Sequence, residues 1–297
     1  MIVPTETPYL ELQRLAPAPE EEWKQLLRFA NLTPQDKVAM ANSAEVLLQR
    51  SHEFVVGTYD YLRDTPETAA VLGWEKGVDE AHLQERRQFF AIWLSRTIGL
   101  DTSDEFAQYL FRAGKLHAGH GPRRIHTPGK FIFGSIGLVL ATFARYMQEA
   151  NLSGAVIAGA MAGWSKYLLA QLHMMQIGYE AARELENGRF PINVSLYGRL
   201  RRIADCQELS IWADENAQTG DIMTKFFNYL PQTRPEALER TWRSHDKEDS
   251  LWLETYPVYH PKGGWRVLLN GRDLNYNGGF ATPIHAQDTI AIFPPGR

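Results

Sequence analysis

The hydrophobic pattern of this chain changes once, near Asn187-Gly188, and that change limits the possible folds more than any other feature. From about Glu20 to Glu186, apolar residues recur at the three- and four-residue spacing of α-helices. From Ile192 onward, apolar and polar residues alternate, as they do in half-buried strands. A chain of 297 residues has room for two domains. We therefore predict an N-terminal arm over residues 1–19, an all-α domain over 20–186 and an α+β domain over 190–297.

Composition and charge exclude several classes of protein. The net charge of −4 argues against binding to nucleic acid or to an anionic membrane surface. The single cysteine, Cys206, rules out an intrachain disulfide, and the N-terminus has no apolar signal core, so we expect a cytoplasmic location. The longest apolar run, Phe131–Ala144, is too short to span a bilayer. No nucleotide-binding glycine motif or Ser/His/Asp set appears, so the sequence does not predict an enzyme.

One histidine lies at a position that requires explanation. Phe106, Leu110, Ala113 and His117 share one face of a predicted helix. Two glycines that follow His117 end this helix. A histidine on an apolar face must have a partner for its ring nitrogens, either a hydrogen-bonding neighbour or a metal. The sequence leaves both open. A zinc site that combines it with His120 and His126 is a further alternative, although no cysteine or acidic residue lies nearby.

The helical part resembles the protoglobin and globin-coupled-sensor family over about residues 20–185. Arg112 and Gly114-Lys115-Leu116-His117 are similar to the Gly-x-x-His that surrounds the proximal haem ligand in that family. Tyr59 lies where the family commonly has a distal tyrosine, and Phe90-Ala91-Ile92-Trp93 resembles its Phe-x-x-Trp. The stretch from Pro128 to Gly134 resembles the start of its long penultimate helix.

This resemblance implies a haem b site that binds a diatomic gas: oxygen, carbon monoxide or nitric oxide. His117 is the expected proximal ligand of the haem iron. Tyr59 is expected either to donate a hydrogen bond to oxygen or to be an ordinary aromatic core residue. Trp93 belongs to the distal motif, and the apolar slot is expected to be lined by Phe54, Phe89, Phe90, Phe131, Phe133 and Ile136. The cations expected to meet the propionates are Arg112, Lys115, Arg123, Arg124 or Lys130.

The C-terminal part resembles the sulfur-carrier β-grasp family, which includes the small subunit of molybdopterin synthase and the thiamin sulfur carrier. The stretches that carry the resemblance are 196–213, 219–231, 267–274 and 287–295, with an enlarged middle at 232–265. The resemblance implies a ubiquitin-like β-grasp fold. That family ends in a flexible Gly-Gly, whereas this chain ends in Pro294-Pro295-Gly296-Arg297. We therefore favour a β-grasp module that binds a protein partner over a sulfur carrier.

Three functions are compatible with these features. The first is a sensor of oxygen, another diatomic gas or a redox state, reported through the β-grasp module. The second is a haem protein that carries or transforms oxygen or nitric oxide. The third is a sulfur carrier on a helical scaffold. The two long helices before residue 186 are rich in glycine and alanine, which permit close helix approach. Family resemblance implies that these helices pair, so we expect a homodimer.

Overall fold

The computed structural model of the protein describes residues 10–246 and 251–295. These residues form two compact units. The first unit is Ala18–Glu180, and the second combines the described residues of 1–17 with those of 181–297. The chain is therefore all-α in its first unit and mixed α and β in its second, and the predicted fold class is confirmed.

The first unit is built from helices. In chain order they are α1 Pro19–Phe29, α2 Pro34–Gln49, α3 Ser51–Asp64, α4 Pro66–Leu72, α5 Glu80–Ile98, α6 Asp104–His117, α7 Gly129–Glu149 and α8 Gly154–Leu185. Thr33 starts α2 through a capping box, because its hydroxyl accepts from the Asp36 amide and the Asp36 carboxylate accepts from the Thr33 amide.

The stretch between Pro34 and Leu72 has more breaks than its apolar stripe predicts. Apolar residues keep their helical spacing toward Thr65, but α2 and α3 are separated at Arg50, whose backbone leaves the helical region. The Arg50 guanidinium pairs with Glu53 and Glu149 and lies over the Tyr146 ring. These contacts stabilise the break between α2 and α3 at Arg50. The spacing of apolar residues cannot predict its position, because the contacts are made by a charged side chain.

A core of large aromatic side chains joins the helices of the first unit. Trp23, Phe106, Phe143, Trp164 and Tyr167 are all fully buried. Two polar groups of these aromatic side chains have hydrogen-bond partners: the Trp164 indole donates to the Ser43 hydroxyl at 2.9 Å, and the Tyr167 hydroxyl donates to the Asp101 carbonyl at 2.6 Å. The core therefore holds a defined arrangement, because each buried polar group constrains the packing around it.

Helix α7 is the most apolar element of the first unit. Its 21 residues are long and apolar enough, by length and composition, to cross a membrane. Core helices of soluble proteins meet the same description. The apolar run considered from the sequence, Phe131–Ala144, is only part of this helix and is by itself too short to span a bilayer. Ile136, Val139, Phe143 and Met147 of α7 are buried in the core of the unit. Phe133 and Leu138 are exposed, at 52% and 42%.

The second unit contains a five-stranded sheet. Its strands are β1 Phe190–Leu196, β2 Glu208–Ala213, β5 Arg266–Leu269, β6 Arg272–Asp273 and β7 Thr289–Phe293. Their order is β2-β1-β7-β5-β6, with β1 parallel to β7 and the other neighbours antiparallel. Between the strands lie helices α9 Gly198–Ala204, α10 Thr219–Tyr229 and α11 Arg234–Ala237. Helix α10 places Ile222, Met223 and Phe226 in the core of the unit. This strand order with a covering helix is the ubiquitin-like β-grasp arrangement.

A separate ribbon interrupts the β-grasp sequence. Strand β3, Leu238–Asp246, pairs antiparallel with β4, Leu253–Pro261. The sequence of β4 is typical of a strand, whereas residues 239–246 of β3 are exposed on both faces and carry no apolar alternation. Trp242 on this ribbon is 60% exposed.

The described residues before Pro17 belong to the second unit. Leu12 and Leu15 are buried in its core, and the Leu12 and Tyr259 backbones exchange two hydrogen bonds of 2.9 Å. The Arg234 guanidinium donates to the Ala16 carbonyl at 2.5 Å. The sequence predicted an arm over 1–19, but residues 10–17 pack onto a partner more than 200 positions away. Two apolar residues and a backbone bridge leave no period for sequence analysis to detect.

Candidate functional site

His117 is the last residue of α6, a helix capped at its start by the Ser103 hydroxyl. Its Nδ1 lies 2.7 Å from the Ala113 carbonyl, one turn back along the helix. A carbonyl can only accept, so Nδ1 carries the proton and Nε2 holds the free lone pair. Within the described residues no hydrogen-bond partner reaches Nε2. Burial lowers the pKa of the imidazole, opposed in part by the Ala113 carbonyl and reinforced by the charge of Arg86. The ring is therefore neutral, as a metal ligand must be.

A glycine crossing fixes the helix that carries His117. A side chain at Gly114 would place its Cβ 1.9 Å from the Met175 carbonyl oxygen on α8. A side chain at Gly178 on α8 would place its Cβ 2.0 Å from the Phe111 carbonyl oxygen on α6. The two helices therefore touch backbone to backbone, and only glycine fits at either position. This contact lies one turn from His117 and sets where its imidazole lies.

Four of the predicted pocket residues lie together on α3 and α5. The Phe90 ring is 5.6 Å from Phe54, 6.0 Å from Tyr59 and 5.2 Å from Trp93, measured between ring centroids. The Trp93 indole donates to the buried Gln171 side chain on α8 at 2.8 Å. These contacts form a rigid aromatic wall, since T-shaped and tilted ring pairs at such distances are mutually stabilising.

The Tyr59 hydroxyl points toward the backbone of α5. It donates to the Arg86 carbonyl at 2.9 Å. Burial raises the pKa of Tyr59 well above its ordinary value, so the phenol stays protonated and can donate only one hydrogen bond. Of the two roles that the sequence left open for Tyr59, donation to oxygen would require a proton that already has an acceptor within the protein.

The remaining predicted pocket residues are more exposed. Phe89 is 49% exposed and Phe133 is 52% exposed. Phe131 is half-buried beneath the ammonium of Lys130, which lies 4.9 Å from its ring centroid. Arg112 is exposed, and the Lys115 ammonium lies 5.7 Å from the Phe111 ring. The structure therefore groups Phe54, Tyr59, Phe90 and Trp93, but does not show these other side chains joining them.

Arg123 and His126, which follow α6 in the chain, have local partners. Arg123 pairs with Glu85 at 2.8 Å and with Asp79 at 3.4 Å. His126 Nε2 lies 2.6 Å from the Tyr179 hydroxyl. Among the described residues, no three His, Cys, Asp or Glu side chains converge as a metal site. His117, His120 and His126 therefore do not form the zinc site that the sequence allowed.

Sequence analysis missed two residues of this region. Gly178 meets α6 only because two distant helices cross, and no local pattern marks it. Arg86 lies four residues before Phe90, so both occupy one face of α5. That spacing was a usable signal, since a basic residue one turn from a predicted pocket phenylalanine is a candidate for the pocket.

Comparison with known proteins identifies the family. Residues 19–184, more than half of the chain, match the sequence profile of the protoglobins. The chain belongs to the protoglobin family, and membership implies haem binding. No curated protein has a sequence that matches the chain significantly.

Three solved structures of archaeal modifier proteins are similar to part of the chain. Two crystal structures of small archaeal modifier protein 1 from Haloferax volcanii are each 18% identical and cover 36% of this chain and 100% and 96% of their own, with TM-scores of 0.27 and 0.26. A solution structure of the Methanosarcina acetivorans protein is 22% identical, covers 37% of this chain and 96% of its own, and has a TM-score of 0.27. We assign the β-grasp fold from the strand order alone.

Proposed function

We propose that the first unit binds haem b with His117 Nε2 as the proximal ligand of the iron, and that the protein senses a diatomic gas. The observation that carries this proposal is the 2.7 Å contact between His117 Nδ1 and the Ala113 carbonyl. A hydrogen bond at one ring nitrogen fixes the tautomer and orientation that a metal needs at the other. When bound, haem supplies an iron centre able to take oxygen, carbon monoxide or nitric oxide. The aromatic wall of Phe54, Tyr59, Phe90 and Trp93 supplies an apolar surface for the porphyrin.

The close contact between α6 and α8 favours a sensor over a carrier or an enzyme. Helix α8 meets α6 at Gly114 and Gly178, and its residues from Ala181 onward belong to the second unit. Leu185, near its end, is buried in the β-grasp core. A shift of His117 must displace the α6 backbone, and the close crossing passes that displacement to α8. A carrier needs no such connection between its haem site and a second unit.

We propose that the β-grasp unit docks a protein partner rather than carrying sulfur. The tail is held against the unit as far as Pro295: a Cβ at Gly198 would lie 2.5 Å from Pro294, and a Cβ at Gly264 would lie 2.9 Å from Pro295. Phe293 also stacks on Tyr197 at 4.2 Å. Sulfur activation needs a free, flexible tail, and these contacts restrain the residues just before it. Gly296 and Arg297, on which the sequence argument rests, lie outside the described residues.

We also propose a homodimer through α7 and α8. A Cβ added at Gly134, Gly137 or Gly154 would meet no atom within 4 Å. Gly134 and Gly137 lie inside α7, where glycine costs stability relative to alanine, and the described contacts within the protomer give no reason for it. Phe133, Leu138 and Leu169 are also exposed on the same two helices. Close approach of a second copy accounts for both observations.

The absorption spectrum of the purified full-length protein tests the haem proposal. We expect a Soret band that shifts on reduction and again on addition of carbon monoxide. If the protein takes up no haem under reconstitution, the proposal is wrong, and the helical unit is then better explained as a scaffold. Partner capture by the β-grasp unit that differs between the carbon monoxide and ligand-free forms supports sensing; equal capture favours a carrier or an enzyme.

Two further measurements test the module and the dimer. Intact mass spectrometry of the native protein should give an unmodified full-length mass. Loss of Arg297 with a mass gain for replacement of oxygen by sulfur would restore sulfur carriage.

Light scattering at micromolar concentration should give twice 33.8 kDa, and Leu138→Glu should give a monomer, because a charge on that face opposes close helix approach. A monomeric wild type rejects the dimer.

A further inference from the structure

The Gln171 side chain on α8 is fully buried in the first unit and is bonded to α5. Its side-chain oxygen accepts two hydrogen bonds: the Trp93 indole donates at 2.8 Å and the Thr97 hydroxyl donates at 3.1 Å. An indole N–H can only donate, so it requires the oxygen of the amide and fixes the orientation of that group. Trp93 and Thr97 are four residues apart and share one face of α5. One residue of α8 therefore holds two adjacent turns of α5.

The nitrogen of the Gln171 amide has no such role. Within residues 10–246 and 251–295, this Nε2 is buried and makes no hydrogen bond. Burying a donor without an acceptor costs free energy, and apolar side chains of the same shape at all three positions would avoid that cost. The stability of the core therefore does not account for a glutamine here. What the glutamine adds is an acceptor that reaches from α8 to α5.

The same face of α8 also holds α6. Gln171, Met175 and Gly178 follow one another at four- and three-residue spacing, so they share one face of the helix. The Met175 carbonyl lies against Gly114, and Gly178 lies against the Phe111 carbonyl. Helix α5 carries two members of the aromatic wall, and α6 carries the proposed iron ligand. Helix α8 is therefore a common support for both sides of the proposed haem site.

We propose that Gln171 is a positioning residue of the haem site, which holds the aromatic wall in a fixed place relative to the helix of the iron ligand. The inference rests on the proposed haem function and adds the residue that ties one side of the site to the other. The Trp93 ring lies 5.2 Å from the Phe90 ring, so an indole held by Gln171 also restrains its neighbour. Without that hydrogen bond, Trp93 packs in more than one way, and the wall takes several arrangements.

Ser43 on α2 supplies a matched control. Its hydroxyl accepts from the Trp164 indole at 2.9 Å, so Ser43→Ala, like Gln171→Met, removes the acceptor of a buried tryptophan. Trp164 is not part of the aromatic wall. Both variants should lower the urea midpoint of the apoprotein, because each leaves an indole N–H unsatisfied. A loss of stability therefore does not separate a positioning role from a structural one, and the test needs a signal from the site itself.

Two spectra of the full-length protein provide that signal. In the apoprotein, subtracting the ultraviolet resonance Raman spectrum of Trp93→Phe in each background isolates the indole band of Trp93. Its hydrogen-bonded frequency should be lost in Gln171→Met and kept in Gln171→Glu, whose carboxyl group still offers an oxygen to both donors. In the ferrous–carbon monoxide form, the infrared C–O stretch should broaden or split in Gln171→Met. Ser43→Ala and Gln171→Glu should leave that band as it is in the wild type.

Two results would overturn the proposal. An unchanged Trp93 indole band in Gln171→Met shows that Gln171 does not hold Trp93. A C–O band that is the same in Gln171→Met and Ser43→Ala reduces Gln171 to a structural residue. If Gln171→Met does not fold, Gln171→Asn keeps the amide on a shorter side chain and should also split the C–O band; a wild-type band there contradicts the role. Absence of a Soret band in the wild type refutes the haem function instead, and the indole band still decides whether Gln171 holds Trp93.

Discussion

The two sides of the proposed haem site differ in how firmly their polar groups are fixed. On the α6 side, His117 has one satisfied nitrogen, one free nitrogen and a helix locked by two glycines. On the α3 and α5 side, the Trp74 indole and Arg86 Nε both donate to His82, although a neutral imidazole accepts at one nitrogen only. The Tyr59 hydroxyl donates to the Arg86 carbonyl on the same helix. The comparison suggests a division of roles. The first side positions a ligand whose geometry must not vary, whereas on the second side a charged group shares its acceptor with another donor.

The largest expected effect is on the fixed side. His117→Ala removes the only free imidazole nitrogen that α6 aims from its last turn, so haem binding should be lost or severely weakened. Haem stoichiometry after reconstitution measures this. His120→Ala and His126→Ala are the controls and should retain haem. A normal Soret band and ferrous–carbon monoxide spectrum in His117→Ala would show that the ligand assignment is wrong.

The second effect tests the helix crossing. Gly178→Ala places a methyl group against the Phe111 carbonyl, so either α6 or α8 must move, at a cost of about 1–3 kcal/mol in unfolding free energy. Gly57→Ala is the matched control, because its Cβ would meet nothing within 4 Å on α3. That variant should be stabilised by up to about 1 kcal/mol through helix propensity.

Urea unfolding of the two apo variants measures the difference. Equal stabilities would show that the backbones are not in contact at the crossing. If Gly178→Ala also alters the haem spectrum while Gly57→Ala does not, the crossing positions His117 as well as stabilising the fold.

The smallest effect is expected at Tyr59. Tyr59→Phe removes the hydrogen bond to the Arg86 carbonyl and should cost about 1 kcal/mol of stability. Because that proton is already committed, oxygen dissociation should change by less than about threefold, well below the loss of a direct ligand contact. Stopped-flow measurement checks this. Several-fold faster oxygen dissociation with unchanged carbon monoxide kinetics would instead make Tyr59 the donor to oxygen, one of the two roles that the sequence left open.

Sequence patterns predicted the parts of the molecule that depend on local periodicity. His117 was found because helical spacing placed it on an apolar face, and β1 was found because its side chains alternate. Strand β3 was missed because neither of its faces is buried. The role of Leu12 was missed because its partners lie in a distant strand.

The same limit applies to the site. The family motifs pointed to Tyr59, Phe90 and Trp93, and Phe54 was expected to line the slot. These four residues lie together, because neighbouring helices carry them at regular spacing. The close contact at Gly178 depends on which helices cross, and the hydrogen bond from Arg86 to His82 depends on which other donors reach that imidazole. Both are set by tertiary structure, which local sequence patterns do not show. Family resemblance left two roles open for Tyr59, and the acceptor at Arg86 is a backbone atom that no sequence pattern shows.

The central claim is that His117 Nε2 binds the iron while Nδ1 donates to the Ala113 carbonyl. Resonance Raman spectroscopy of the ferrous, ligand-free protein measures the iron–histidine stretch directly. We expect a band that shifts on nitrogen-15 labelling of histidine, disappears in His117→Gly and returns when imidazole is added to that variant. The same band in His117→Gly without imidazole would contradict the account, because another histidine would then hold the iron.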